Sequence, residues 1–501
     1  MLEILMVMFA PLNLLMMVVG VCAGIIIGAL PGLNVIFAIS VLLPFTFGMD
    51  SIASMYLLLG TYCGGTFGGS ISAILINTPG TPAACATVFD GYPLAQKGRA
   101  GDALKTALIS SFVGGIISCF ALLFFAPQIA SMATKFGAPE IFSLCVFGMA
   151  AAIGIAGDKP VKGLIMACMG LAFSTVGIDS SEGGQRFMFG NMYLLAGISS
   201  VAIMLGVFAM AEVLDKSVNT FQADEDKVSS LTYTKSTIKL KEIFKYWKTM
   251  LWSSVYGIVI GAIPGTGGAV AAMMSYNEAR RKSRHPEKFG TGSIEGVVAP
   301  ETGNNATTGA TLIPLLTLGI PGDASVAVLI GALTMQGIIP GPSLFASGSS
   351  WVYMIMGGLF IVNVVMLLEG LFFTKLFANL IKVPVKILTP CIMMLCVVGA
   401  FSIASNAFNI IVMMLFGAFG YVFRKNDFPL APFIIALVLG KLMESNLRRS
   451  LILSQGSPMI FVTRPISLLI LVLAVLSLAY PMIRSVIEEK KHQKQDGGPT
   501  A

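Results

Sequence analysis

Asn77-Thr78-Pro79-Gly80-Thr81-Pro82 interrupts an apolar run that extends from Ser70 to Ile76 before it and from Ala83 to Phe89 after it. Two prolines without N–H groups and one glycine end a helix here. No charged residue occurs from Ser51 to Val88, the composition of a segment at membrane depth. Unpaired backbone at that depth persists only where it is buried in protein or lines a wet cavity. A helix broken at such a place turns N–H dipoles toward anions and carbonyls toward cations. A simple kink is the competing reading, and recurrence of the pattern later in the chain argues against it.

The whole chain fits that setting. It has 501 residues, 55% of them hydrophobic and only 11% charged. Apolar stretches of bilayer length have room to occur about ten to twelve times. Gly 54 and Met 29 suit close helix packing with adaptable filling. The net charge of +7 lies in loops, where it reports topology and gives no reason to expect nucleic acid as a partner. Eight cysteines stand singly in apolar segments without a CxxC, as packed thiols do. The two histidines, His285 and His492, lie in basic polar stretches, which leaves none within the membrane for a proton relay or a metal. Glu3 is the only early charge, so the first apolar segment, Ile4 to Ile27, reads as a retained span and not as a signal peptide.

Along the chain, that segment runs into Gly28-Ala29-Leu30-Pro31-Gly32-Leu33-Asn34. A second segment, Val35 to Phe47, ends at Gly48-Met49-Asp50, and a short span from Ser51 leads through the glycine cluster Gly64 to Gly69 to the first tip. Further spans are expected near 103–126, 139–156, 162–176 and 191–213. The hydrophilic stretch from Asp215 to Lys248 reads as a linker between two halves. The expected division is therefore 1–213, a first transmembrane repeat; 214–248, a cytoplasmic linker; 249–458, a second repeat; and 459–501, a final span with a cytoplasmic tail.

The second half repeats the first. Ile25-Ile26-Ile27-Gly28-Ala29-Leu30-Pro31-Gly32 is matched by Ile258-Val259-Ile260-Gly261-Ala262-Ile263-Pro264-Gly265. Thr78-Pro79-Gly80-Thr81-Pro82 is matched by Ile320-Pro321-Gly322-Asp323-Ala324. Two Pro-Gly breaks in the same order, 48 residues apart in one half and 57 in the other, point to duplication. Charge supplies the orientation. The loop at Asp50 has no Lys or Arg, while its counterpart carries Arg280, Arg281, Lys282, Arg284 and Lys288. After the tips the bias reverses: Lys97, Arg99 and Lys105 follow the first, and 337–350 has no basic residue. By the positive-inside rule, equivalent loops lie on opposite faces, the pattern of inverted repeats in secondary transporters. Arg448, Arg449 and Arg464 fit neither side cleanly. The expected fold is an all-α polytopic membrane protein of two inverted-topology repeats with re-entrant hairpins broken at Pro-Gly.

At these residues the sequence resembles the large membrane subunit of tripartite tricarboxylate transporters, the TctA family. The resemblance is carried by Gly28 to Asn34, Gly64 to Asp90, Gly261 to Gly268, and Pro300-Glu301-Thr302-Gly303-Asn304-Asn305-Ala306, and it extends to about Pro458. It implies an importer of carboxylates, multi-pass in the bacterial inner membrane. It also implies two partners, a small four-span membrane subunit and a periplasmic solute-binding protein, with uptake driven by an ion gradient and not by ATP. The absence of a GxxxxGK[ST] motif agrees.

The residues themselves nominate a site. Asn77, Thr78 and Thr81 offer neutral donors and acceptors, and Gly80 and Gly322 would admit φ > 0 or a close backbone approach to ligand. With Asn34, Asp323, Asn304 and Asn305 they form the expected substrate site. Neither tip contains Arg or Lys, which disfavours a bidentate arginine clamp. Gly32, Thr266, Gly267, Gly268, Glu301 and Thr302 supply hard oxygen ligands for a coupling cation, expected to be Na⁺ in preference to H⁺; no cofactor is expected. Glu301 leads, because an ionisable group within the bilayer is functional by default. Asp90 reads equally as a cap at an exposed hairpin end, and Glu369 and Glu444 as structural pairs or interface residues. A single-component carboxylate symporter is the nearest rival. An intramembrane enzyme is a remote one, resting on Gly154-Ile155-Ala156-Gly157-Asp158 with no second catalytic Asp evident.

Overall fold

The computed structural model describes residues 2–133, 135–154, 159–179, 183–219, 235–346, 350–380 and 385–479. In chain order its helices are α1 (Leu2–Met8), α2 (Pro11–Ala29), α3 (Val35–Leu42), α4 (Ser51–Ile76), α5 (Cys85–Leu94), α6 (Ala100–Ala133), α7 (Ala138–Gly154), α8 (Pro160–Ser174), α9 (Ser200–Met204) and α10 (Ala211–Asn219). After the linker come α11 (Leu240–Phe244), α12 (Trp247–Ala262), α13 (Gly267–Lys282), α14 (Ile294–Ala310), α15 (Leu312–Leu318), α16 (Ala324–Met335), α17 (Pro342–Ala346) and α18 (Ser350–Leu380). The chain ends with α19 (Val385–Ser402), α20 (Phe408–Lys425), α21 (Leu430–Leu453), α22 (Ile460–Thr463) and α23 (Pro465–Ala479). Six helical runs among the described residues are long and apolar enough to cross a bilayer: α2, α4, α5–α6, α18, α20 and α21. Strand is confined to the antiparallel pair Gly177–Ile178 and Gln185–Arg186. The protein is an all-α polytopic membrane protein.

Several boundaries differ from the sequence reading, each for a local reason. The first apolar segment divides before Pro11, which takes the first turn of α2. The glycine cluster Gly64–Gly69 does not interrupt α4. Gly20, Gly24 and Gly28 of α2 lie against α4 so closely that a Cβ on them would stand 3.0 Å from the Leu57 Cα, 2.9 Å from the Thr61 Cα and 2.9 Å from the Gly65 Cα. Gly60, Gly64 and Gly68 return the contact from α4, the small-residue packing of membrane helices. The span expected at 191–213 begins instead at Ser200 and continues through a π-helical stretch, Leu205–Met210, to Asn219. Gly190 and Gly197, at φ 74° and 88°, bracket a single 3-10 turn, Met192–Leu194, in place of a continuous helix.

Both Pro-Gly breaks recur in the two halves with the same backbone. α2 ends at Leu30 (φ −82°, ψ 123°), whose N–H donates to the Ile27 carbonyl, and α12 ends at Ile263 (φ −84°, ψ 116°), whose N–H donates to the Ile260 carbonyl. Gly32 and Gly265 follow at φ 79° and 88°. At the tips, α4 stops at a left-handed Asn77 (φ 57°) and α15 at a left-handed Gly319 (φ 72°). Thr81 and Asp323 then stand extended before the next helical turn. Helix contacts repeat in register as well. Gly24 meets Thr61 and Gly65, and its counterpart Gly257 meets Gly303 and Ala306; Gly28 meets Gly65, and Gly261 meets Thr307 and Ala310.

The described chain forms two compact units. The first comprises Met1–Thr134 and Val201–Tyr421 and contains both sets of breaks; the second comprises Lys135–Ser200 and Val422–Ala501. Within the second, Glu444 accepts from Arg186 at 2.7 Å and from Arg448 at 3.2 Å. Arg448 also reaches Asp179 at 2.9 Å, and Arg464 pairs with Glu140 at 3.1 Å. Two of the three arginines that fit neither side of a membrane are thus neutralised by carboxylates.

Candidate functional site

Helix α14 is made of unusual material for a buried helix: Pro300-Glu301-Thr302-Gly303-Asn304-Asn305-Ala306-Thr307-Thr308, all of it buried. Three hydroxyls bond back to the helix, Thr302 to the Val298 carbonyl, Thr307 to that of Asn304 and Thr308 to that of Asn305. They satisfy themselves locally and leave the carboxyl and the two amides to look outward.

Glu301 is completely inaccessible. Its Oε1 accepts from Ser70 of α4 at 2.5 Å and from Thr87 of α5, and its Oε2 accepts from Ser111 of α6 at 2.9 Å. Asn305, one turn further along α14, donates to Ser111 at 2.8 Å and to the Glu301 carbonyl at 3.2 Å. Four helices therefore converge on one carboxyl. Among the described residues no Lys, Arg or His lies within ion-pair distance of it. Burying an ionised carboxylate is costly unless a positive charge accompanies it, so this cradle suits a bound cation or a proton.

Asn304 faces a different side of the same helix. A Cβ on Gly268, near the start of α13, would stand 2.5 Å from the Asn304 Oδ1, 3.4 Å from the Thr307 Oγ1 and 3.2 Å from the Cβ of Ala83 in the first tip. Asn304 is 1% exposed, and among the described residues neither atom of its amide has a hydrogen-bond partner; the Thr81 hydroxyl, 4% exposed, has none there either. The second tip is better satisfied. Asp323 is half-buried and caps α16 through the Val326 N–H at 2.8 Å. It also accepts from the Tyr62 hydroxyl at 3.2 Å, while Tyr62 meets the Thr311 hydroxyl at 2.9 Å. Gly267 lies beside it, a Cβ there standing 3.8 Å from that of Asp323.

The remaining nominated residues have structural employment. Asn77 is the exposed left-handed end of α4, and Thr78, also exposed, turns its hydroxyl to the Ile76 carbonyl. Asn34 caps α3 through the Phe37 N–H. Thr266 donates to the Ile260 and Ile263 carbonyls and so closes the end of α12. At the first break, Lys216 donates to the Pro31 carbonyl at 2.9 Å, and a Cβ on Gly32 would stand 3.3 Å from Glu212. The Thr302 hydroxyl is held by the Val298 carbonyl, and the Gly114 backbone of α6 packs on the Thr302 carbonyl.

Two expectations are corrected. Neither Gly80 nor Gly322 is left-handed. Each is instead where backbone meets protein: a Cβ on Gly80 would overlap the Gly28 carbonyl, and one on Gly322 would stand 2.6 Å from the Thr311 Cβ. Asp90 is no exposed cap. It is fully buried and accepts from Tyr276 and from the N–H groups of Gly290, Gly292 and Ser293, holding the loop before α14 in place. Glu444 is a structural pair as expected, whereas Glu369 is buried and neither carboxyl oxygen has a hydrogen-bond partner among the described residues. Four cysteines, Cys63, Cys119, Cys145 and Cys396, are packed inside, and Cys85, Cys168 and Cys391 are exposed. Ile155 to Asp158, in the stretch that suggested an intramembrane enzyme, lies outside the described residues.

Sequence reasoning missed Ser70, Thr87 and Ser111. Their only signal is that each is a hydroxyl in an apolar helix, which many such residues share.

Comparison with known proteins completes the picture. The family model of the tripartite tricarboxylate transporter TctA family matches residues 14–435. An uncharacterized 52.8 kDa protein in the TAR-I ttuC′ 3′ region of Agrobacterium vitis is 39% identical over 479 residues, 95% of each chain. A second uncharacterized protein of that organism, in the TAR-II ttuC′ 3′ region, is 35% identical over 230 residues, covering 46% of this chain and 95% of its own. No solved structure matches the chain. With broken helices meeting around buried polar groups and a family model spanning most of its length, the chain belongs to the tripartite tricarboxylate transporter TctA family, the large membrane subunits of these transporters.

Proposed function

We propose that this chain is the permease subunit of a binding-protein-dependent system that brings tri- or dicarboxylates across the bacterial inner membrane on a cation gradient. The observation that carries the coupling is Glu301, a buried carboxyl held by hydroxyls with no basic partner among the described residues. A substrate with two or three negative charges enters against an inside-negative potential, at about 2.3 kcal/mol per charge per 100 mV. Accompanying cations offset that cost and supply the driving force. Carboxylate and hydroxyl oxygens are hard ligands, which favours Na⁺ at Glu301. The partners are a small four-span subunit and a periplasmic solute-binding protein that delivers the anion.

The test is uptake of a labelled carboxylate into proteoliposomes holding this chain, the small subunit and the loaded binding protein. Uptake is expected to follow an imposed Na⁺ gradient and to fall to background without the binding protein. Glu301→Gln keeps the hydrogen-bonding shape and removes the charge, so Na⁺-driven uptake should fall by more than about tenfold, the equivalent of about 1.4 kcal/mol. Uptake driven by a pH gradient alone would assign H⁺ to the same carboxyl. Full uptake by this chain alone would replace the tripartite reading with a single-component symporter.

A further inference from the structure

The two halves build the same polar junction twice, and they finish it differently. Counting along matched segments, Tyr62 of α4 is the counterpart of Asn304 of α14, and Gly69 is that of Thr311. Val35 corresponds to Gly268, and Thr81 in the first tip to Asp323 in the second. The contacts obey these equivalences. A Cβ on Gly65 would stand 3.2 Å from the Val35 Cγ2, and in the other half a Cβ on Gly268 would stand 3.4 Å from the hydroxyl of Thr307, the counterpart of Gly65. Gly80 donates its N–H to the Gly69 carbonyl, and Gly322 packs on Thr311. Each half reaches the neighbourhood of the other's tip: Tyr62 bonds Asp323 of the second, and Gly268, beside Asn304, lies against Ala83 next to the first.

At three matched positions the exchange from the second-tip junction to the first removes bulk or charge, while Thr307 in place of Gly65 adds a hydroxyl. Where the second-tip junction has an isopropyl group, a phenol and a carboxylate in Val35, Tyr62 and Asp323, the first-tip junction has Gly268, Asn304 and Thr81. At the former, the Asp323 carboxylate receives the Tyr62 hydroxyl and the Val326 N–H. At the latter, the Thr81 hydroxyl, against Gly69, and both ends of the Asn304 amide are buried with no hydrogen-bond partner among the described residues, whichever way the amide is turned. Leaving such groups unpaired is unfavourable, and a native protein that does so at one place is built to pair them with something else.

We propose that a carboxylate of the substrate seats between Thr81, Asn304 and Gly268, in the position that the Asp323 carboxylate holds in the other half. This rests on the carboxylate-transport reading and names the subsite for it. The donors are neutral: the Thr81 hydroxyl and the Asn304 amide N–H. Gly268 keeps the wall low, and Glu301 stands on the same helix, α14.

The subsite can be closed with the protein's own parts. Thr81→Asp installs the carboxylate of the second tip, Gly268→Val the isopropyl group of α3, and Asn304→Ala removes the amide. Gly184→Ala, where a Cβ meets nothing within 4 Å, is the control. Wild type and variants would be purified with the small subunit, matched for abundance and monodispersity, and titrated with labelled citrate, succinate and tartrate, and separately with Na⁺. Thr81→Asp and Gly268→Val are expected to abolish carboxylate binding. Asn304→Ala should weaken it about tenfold, the size of one or two hydrogen bonds, and Gly184→Ala should bind as wild type does. If Thr81→Asp misfolds, Gly268→Val and Asn304→Ala decide. Carboxylate binding unchanged in those variants overturns the assignment, as does loss of Na⁺ binding with carboxylate binding retained, which would make the junction a cation site. Wild-type protein that neither binds nor transports any of the three acids sinks the carboxylate reading itself, a result distinct from failure of the subsite.

Discussion

Gly80 and Gly322 show what a single residue type leaves undecided. A glycine beside proline suggests left-handed backbone, yet the left-handed positions are Asn77 and Gly319, two residues before the prolines. The glycines are required because another backbone occupies the place of a side chain. Alanine at either is therefore an overpacking change, worth about 1–3 kcal/mol. Gly80→Ala and Gly322→Ala should both lower the thermal unfolding midpoint of detergent-purified protein, with Gly184→Ala unchanged; midpoints equal to wild type would show that the tips yield easily. Glu301 was legible because a carboxyl in an apolar helix has few innocent explanations. Its hydroxyl partners were not, since nothing in the order of residues says which face of α4, α5 and α6 turns toward α14. Adjacency also misled. Thr302 follows Glu301 in sequence, but about 100° per residue sends it to another face, and Asn305, one turn on, is the residue that joins Glu301.

At the scale of elements, the helix breaks were readable because Pro and Gly act on the backbone directly, and the two halves repeat them in φ and ψ. Continuity through Gly64–Gly69 was not readable, because it depends on α2 offering its own glycines at matching intervals. Asp90 belongs here as the residue that fixes an element boundary. Its carboxylate collects three N–H groups just before α14 begins and the phenol of Tyr276 from α13. Asp90→Ala leaves these donors unpaired, at about 1–3 kcal/mol for each one that water does not reach. The loop should then open. Exposed Arg284 and Lys288 within it provide tryptic sites, so cleavage between α13 and α14 in detergent should accelerate at least several-fold over wild type. Unchanged cleavage would mean that the packing of Phe289 against Tyr276, ring centroids 5.4 Å apart, is sufficient to hold the loop.

For the whole molecule, duplication is written in the sequence and carried into local geometry, while the compact units are drawn across it. Each unit takes residues from both halves, a consequence of long-range packing that no Pro-Gly pattern records. The relative direction of the halves is encoded more weakly, in the distribution of charge between equivalent loops. The Asp50 turn lacks Lys and Arg, and its counterpart between α13 and α14 is rich in them, so the positive-inside rule puts the two on opposite faces. Asp50 and Lys282 are both exposed, and both sit at helix ends where substitution disturbs little packing. In a background with the eight native cysteines replaced, Asp50→Cys should react with an impermeant maleimide added outside intact cells. Lys282→Cys should react only after the membrane is opened. Each half meets the segment around the other's tip, Tyr62 at Asp323 and Gly268 at Ala83, a cross-over compatible with two oppositely oriented copies. Labelling of both cysteines from one side would rule that arrangement out, and with it the reading of the two junctions as mirrored halves of one transport pathway.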